Sequence, residues 1–343
     1  MKKWQEYITT FVGVVLLFVV FELLMAQGII NNYVSGVMVL IGINIIAAAS
    51  LNIATGYLGQ LALGHAGFMA IGAYSAAFIM RVAKLSGLSN TDGIVILIMI
   101  GSLIFAGIMA AIFGVLIGIP ALRLRGDYLG IVTLGFGEII RIAIFNLDFE
   151  VMGFQFTGGA RGFRGYLGYM NFELIFGVVI VVLTILYLII RSRHGRAILS
   201  IREDEIAAEA VGVPTTFYKI FGFATSAFFA GIAGGCLAFY QKMIDPKKFT
   251  FMYSVEIFII VVLGGMGSLT GTIVAAIILG ILNEFLHVID QWRLVIYSTL
   301  LIIMMIFRPE GLLGSKEFSF VGLIKKVWYR KNNKKSSGVQ EVK

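Results

Sequence analysis

The sequence predicts an all-α integral membrane protein, a polytopic bundle of about ten transmembrane helices with broken or half helices among them. Three observations carry that expectation. The 343 residues are 59% hydrophobic and 13% charged, whereas soluble domains sit near about 45–50% apolar and about 25% charged. Eight runs, at 8–26, 34–51, 94–119, 172–190, 217–240, 255–263, 273–285 and 294–307, are nearly free of charge, and roughly 20 apolar residues cross a bilayer. Basic residues collect in alternate connections between the runs, as a multi-pass topology requires.

Residues 8–26 follow Lys2 and Lys3, as a secretion signal would. The run exceeds an h-region of about 7–15 residues and has no A-x-A cleavage site, so it reads as a retained helix. The basic groups are Lys2 and Lys3, Arg123 and Arg125, those in 191–202, and those from Arg308 onward. Placing all four groups on one side gives about six crossings before Arg191 and about four after Val213, both even. That side is read as cytoplasmic, with both termini there. The other side carries Arg81, Lys84, Arg161, Arg164, Lys242, Lys247, Lys248 and Arg293. The net charge of +8 is therefore a topology signal, and no nucleic-acid partner is expected. The chain divides into a membrane domain, 1–315, and a basic tail, 316–343, read as frayed against lipid.

Glycines interrupt two of the apolar stretches. Gly56, Gly59, Gly64, Gly67 and Gly72 accompany Asn52, Gln60 and His65; Gly264, Gly265, Gly267 and Gly271 form the second interruption. Irregular backbone at membrane depth is tolerated only inside protein or along a cavity. Either these segments flank a substrate path, as broken helices do in transporters, or they let helices pack closely through small residues. Ionisable residues in or near spans are Glu22, Glu138, Arg141, Glu256 and Glu284. Glu138 and Arg141 share a helix face and can neutralise each other; the alternative is proton coupling.

One connection is shaped rather than merely polar. In SIREDEIAAEAVGV, 200–213, Ser200 and Glu203 have capping-box spacing. Glu203, Asp204 and Glu205 suit a first helical turn, Gly212 suits the left-handed C-terminal position, and Pro214 blocks continuation. The reading is a helix of about three turns, with Ile201, Ala208 and Val211 facing the bundle and Glu205 and Glu209 facing out. It is either a docking helix for a cytosolic partner or a surface helix capping the bundle. On the other side, Arg161 and Arg164 in one loop and Lys247 and Lys248 in another either meet an acidic partner or contact lipid headgroups.

IREDEIAAEAVGVPTTFYKIFGFATSAFFAGIAGG, 201–235, resembles the coupling segment of LivM-type permeases of branched-chain amino-acid ABC importers. Glu205, Ala208, Glu209, Ala210 and Gly212 match its E-A-A…G loop, which in that family inserts into a groove on the ATPase. LNIATGYLGQLALGHAGFMAIGAY, 51–74, resembles the family block containing G-H-A-x-F, with Ala62 replacing the usual serine. TGGARGFRG, VVLGGMGSLTG and RPEGLLG resemble three further blocks, in the same order. The resemblance implies a type II ABC importer-like fold, alternating access, and a bacterial inner-membrane location. It implies a second, LivH-like permease subunit, two nucleotide-binding ATPase subunits and an extracytoplasmic amino-acid-binding protein. It assigns ATPase coupling to Ser200, Arg202, Glu203, Glu205, Ala208, Glu209, Ala210 and Gly212. Substrate-path candidates are Asn52, Gly59, Gln60, Gly64, His65, Gly67, Gly264, Gly265 and Gly267. Arg161, Arg164, Lys247 and Lys248 are the docking candidates. Importers of urea and short amides share most of these blocks, so the substrate class stays open between them.

Other classes find little support. No G-x-x-x-x-G-K-[ST] phosphate loop occurs, so ATP and Mg are expected on partner subunits and no cofactor on this chain. His65, His194 and His287 lack metal-ligand spacing, and the single Cys236 forms no intrachain disulfide. No nucleophile elbow or dinucleotide fingerprint is present, so the chain is not read as an enzyme. A self-contained secondary carrier or channel would leave the charged connection at 200–213 without a task.

Overall fold

A computed structural model describes residues 22, 31–87, 92–122, 124, 126–146, 150–151, 154–155, 157–164, 170–286, 292–308, 310–312 and 314. Most of the first expected span, Arg123, Arg125, His287 and the tail lie outside these, as does the expected boundary at 315/316. Ser35–Ser315 forms one compact unit; Met1–Val34 with Lys316–Lys343 forms the other. Only the first is described below.

Helix α1 (Asn32–Asn52) continues into a π-turn at Ile53–Tyr57. It is followed by α2 (His65–Leu85), α3 (Asp92–Ala121), α4 (Asp127–Asn146) and α5 (Phe172–Arg191). Two short helices, α6 (Arg193–Glu203) and α7 (Glu205–Ala210), lead into α8 (Thr215–Gln241). Then come α9 (Phe251–Gly264), α10 (Leu269–Leu286) and α11 (Arg293–Phe307). Among the described residues seven helices are long and apolar enough to cross a membrane. The shorter apolar α9 and α11 have 14 and 15 residues. The all-helical, multi-pass reading of the sequence is therefore the architecture observed.

The bundle is organised around α8, against which α2 and α3 both lie. Small residues explain why. A Cβ on Gly72 of α2 would meet the backbone of Gly231 on α8, and one on Gly234 would meet the backbone of Met69. With no side chain between them the helices approach backbone to backbone, which is how spans associate where lipid gives no hydrophobic drive. Phe223 of α8 closes the other end, edge-on to Phe68 at 5.6 Å. The opposite face of α3 is apolar and exposed: Leu97, Ile100, Ile104, Ile108, Ile112 and Leu116 are all exposed, at helical spacing. The segment most embedded in protein is α2, 78% buried; α4, at 17%, is peripheral.

Chain direction fixes two ends. The π-turn of α1, the start of α2, the end of α5, and α6 and α7 share one end. The end of α2, the loop 157–164 and the end of α8 share the other. There the helices are tied by a feature the hydropathy pattern does not contain. β3 (Phe163–Arg164) pairs antiparallel with β4 (Met243–Ile244), Phe163 opposite Ile244. A second two-residue ladder joins β1 (Glu150–Val151) to β2 (Phe154–Gln155). Arg81 stacks over the Phe163 ring at 5.0 Å, locking the α2 end to the ladder.

Replacing Gly72 by Val should force α2 away from α8. Overpacking of this kind costs about 1–3 kcal/mol, read as a lowered melting temperature and a smaller monodisperse fraction in detergent. Gly101→Ala, with open space around it, should leave both unchanged.

Candidate functional site

The connection between α5 and α8 is an elbow of two helices. Ser192 caps α6 by accepting from the Gly195 amide at 3.2 Å. Gly195 itself sits against the carbonyls of Ile189 and Ile190, where a Cβ has no room. The turn from the span into α6 is therefore possible only with glycine there. Ile198 and Ile201 are buried while Arg193, Arg202 and Glu203 are exposed, so α6 lies along the bundle end as an amphipathic helix.

The elbow bends at Asp204, whose backbone is extended. Its Oδ1 accepts from the amides of Ile206 and Ala207 at 2.9 and 3.0 Å, capping α7. This corrects the expected capping box. Ser200 already lies inside α6, where its hydroxyl donates to the Ala197 carbonyl at 2.8 Å. A residue with helical backbone has no free amide ahead of it to cap. The expected single three-turn helix is thus two helices, the second of six residues. Gly212 takes the left-handed conformation, φ +87°, and ends it.

Two expected orientations change as well. Glu205 does not face out: its Oε1 receives the Lys219 Nζ at 2.6 Å, with side-chain exposures of 29% and 7%. A lysine taken out of water needs a paired carboxylate. Val211 does not face in, being 81% exposed. Ala208 is buried as expected. The outward surface of the elbow carries Glu203, Glu209, Ala210, Ile206 (74% exposed) and Val211. Phe217 on the first turn of α8 is exposed beside it. An acidic rim around exposed aliphatic side chains is a docking chemistry.

The two glycine interruptions meet each other beneath this elbow. Asn52 Nδ2 donates to the Ser268 carbonyl at 3.1 Å and to Thr272 Oγ1 at 2.9 Å, while its Oδ1 accepts from the Gly267 amide at 2.8 Å. Arg202 then reaches down from α6, its Nη1 donating to the Gly56 carbonyl at 2.6 Å. Gly267, at φ +88°, keeps the turn open beside the guanidinium. Residues 310–312 fold back onto the same turn: the Leu312 amide donates to the Leu263 carbonyl at 2.9 Å. A Cβ on Gly311 would meet Gly265. The α1–α2 interruption is a tight connection at the elbow end, between two helices each long enough to cross.

The other path candidates are held by packing. Gly64 and Gly67 abut Thr133 and Gly137 of α4, and Gly264 abuts Gly271. His65 is 1% exposed, its Nε2 within 2.9 Å of Ser50 Oγ and 3.1 Å of the Ala47 carbonyl. Gly59, at φ +73°, packs against the Arg202 side chain. The Gln60 amide donates to the Ala54 carbonyl at 2.9 Å. Glu138 pairs with Arg141 at 2.7 Å, and its second oxygen accepts from the Phe251 amide at 2.9 Å. That carboxylate caps the start of α9, a partner that sequence spacing did not indicate.

At the opposite end the β3–β4 ladder brings both expected docking clusters together. Arg161, Arg164, Lys247 and Lys248 are all exposed. Arg164 Nε lies 2.9 Å from Met243 Sδ across the ladder. Lys248 Nζ donates to Gln241 Oε1 at 3.2 Å, and Lys247 stands 6.0 Å from the Phe145 ring centre.

Residues 33–307 match the family described as branched-chain amino acid transport system / permease component. The chain belongs to this family. It is 36% identical over 305 residues to the high-affinity branched-chain amino acid transport system permease protein LivM of Escherichia coli K12, covering 79% of this chain and 68% of that one. A probable LivM permease of Methanocaldococcus jannaschii is 23% identical over 347 residues, covering 86% and 97%. The E. coli permease LivH is 32% identical over 128 residues, 37% and 41% of the two chains. No solved structure gives a significant match. In this permease the elbow, the glycine joint and the short apolar α9 fall within the matched segment.

The Lys219–Glu205 pair should behave as a unit. Glu205→Gln should destabilise the permease by about 1–3 kcal/mol, the cost of leaving the buried Lys219 without its carboxylate. Lys219→Met added to it should recover part of the loss in a double-mutant cycle of thermal unfolding.

Proposed function

We propose that this permease is one membrane subunit of an ATP-driven, binding-protein-dependent importer of the branched-chain amino acids leucine, isoleucine and valine. Its partners are a second permease related to LivH, two ATPase subunits that carry ATP and Mg, and an extracytoplasmic amino-acid-binding protein. The observation that carries the proposal is the elbow: an exposed, acid-rimmed short helix whose every anchor leads into the bundle. The elbow end carries Arg191, Arg193, Arg196 and Arg202, which favours the cytoplasm for that end and for both termini.

The division of labour follows from the contacts. An ATPase surface pressing on Ile206, Glu209 and Val211 would displace α7 about Asp204. Lys219–Glu205 carries that displacement to α8. Arg202 carries it through Gly56 to α1 and, past Gly267, to the α9–α10 turn. The permease then alternates between outward and inward openings, and Asn52, Gly267 and Arg202 act as the joint rather than as substrate ligands. At the far end, Arg161, Arg164, Lys247 and Lys248 form one basic platform suited to acidic residues of a binding protein.

Two measurements test this. In proteoliposomes holding all subunits, labelled leucine should enter only with ATP and binding protein, with urea a poor substitute. Glu209→Lys should lower leucine uptake about tenfold or more by placing a like-for-opposite charge at the contact. Proton-driven uptake by this chain alone, indifferent to Glu209, would sink the importer reading. Reversing Arg161 and Arg164 to Glu should lower uptake and make the residual rate less sensitive to salt, since opposed charges steer association; an unaltered rate removes the docking role.

A further inference from the structure

The start of α6 gathers cations whose only role so far is to mark a side of the membrane. Arg191 ends α5, and Arg193 and Arg196 open α6. All three are exposed. Arg196 Nη1 donates to the Arg191 carbonyl at 3.2 Å, and Arg191 lies over the Tyr187 ring at 5.0 Å. Arg193 and Arg196 stand one turn apart on one helix, where like charges repel. Among the described residues neither of these two pairs with an acid. Along α6 the acids begin only at Glu203, about two turns beyond Arg196.

A wall of rings adjoins the cations. The His194 ring, next in the chain to Arg193, stands 5.9 Å from Tyr218 and 5.6 Å from Phe221 of α8. Phe221 in turn stacks on Phe217 at 6.2 Å, the planes 14° apart. Phe217 is 57% exposed, and Leu188 in the last turn of α5 is 61% exposed. Both α5 and α8 are long and apolar enough to cross a membrane. His194 thus ties the start of α6 to α8 and holds the arginines where two spans end.

Exposed apolar groups at the ends of spans, with cations one step further out, match a phospholipid. Aromatic rings sit at headgroup level, and clustered cations attract anionic headgroups. Guanidinium groups offer paired N–H donors to phosphate oxygens. A free phosphate has no use for the rings, and a zwitterionic headgroup brings its own cation to a cationic corner. The corner is also opposite in sign to the acid-rimmed surface of Glu203 and Glu209. A partner protein complementary to those acids is basic and would be repelled here.

We infer that the corner of Arg191, Arg193 and Arg196 binds the headgroup of an anionic phospholipid in the leaflet at the elbow end, and that the lipid fixes the start of α6. The inference needs only a membrane boundary at that end, so it stands or falls apart from the importer reading. The test titrates the full-length permease in neutral detergent with phosphatidylglycerol and follows its melting temperature. Phosphatidylglycerol should raise it, and phosphatidylcholine or inorganic phosphate should do so far less. Arg193→Gln with Arg196→Gln should raise the half-saturating phosphatidylglycerol concentration about tenfold or more. The same pair changed to Lys should keep most of the response, since the charge remains. Lys84→Gln with Lys242→Asn removes two cations exposed at the opposite end and should leave the response unaltered. A glutamine pair that responds as the wild type does overturns the inference. So does an equal response to inorganic phosphate, which makes the corner a free-anion site. In the assembled complex, loss of co-purifying ATPase from the glutamine pair would assign the corner to that contact and overturn it as well.

Discussion

The carboxamide of Asn52 joins segments more than two hundred positions apart in the chain. It uses both its donor hydrogens and its acceptor oxygen on the turn between α9 and α10. Inside a membrane bundle the alternative to such a bond is an unsatisfied polar group in a low-dielectric surround, so the arrangement is held by what its loss would expose. Everything else at that end is built on it. Gly56 lacks a side chain because Asn52 and the Gly267 amide fill the space. Arg202 finds a bare carbonyl because the π-turn of α1 presents one. Glu310, Gly311 and Gly314 pack where the same turn leaves glycine surface.

The spans were legible in the sequence because hydropathy needs no knowledge of partners. Charge alternation predicts connections at alternate ends of the bundle, and the chain directions of α1 to α11 alternate in that way. What stayed hidden was pairwise. Ser200 has capping-box spacing but lies inside α6; the cap is Ser192, and that depends on Gly195 turning the chain off α5. Asp204 has the spacing of a first-turn acid and is the cap. A lone lysine one turn into an apolar run, Lys219, needs an acid, and Glu205, near in sequence, supplies it. The glycine blocks left path and packing open. In the structure Gly64, Gly67 and Gly264 abut neighbouring backbone, and Asn52 and Gly267 meet in one hydrogen-bonded turn, pairings that glycine spacing alone does not specify.

The two ends of the bundle are organised by different physics. The elbow end is held by directed hydrogen bonds between distant segments, a geometry with few alternatives. The opposite end is tied by a two-residue ladder and a cation over a ring, with its basic groups exposed. The first suits faithful transfer of a displacement; the second suits reversible, salt-sensitive contact.

Asp204 has a kinematic consequence. It separates two short helices with different polar anchors: α6 reaches α1 through Arg202 and Gly56, and α7 reaches α8 through Glu205 and Lys219. A rod pinned at each side of a pivot does not translate the whole bundle when pushed. Under the proposed coupling it would turn one group of helices against the other, in the manner of scissors closing about a rivet. The extended residue between two short helices would then set the axis of that motion, and its stiffness how much of a push at the surface becomes rotation within the membrane.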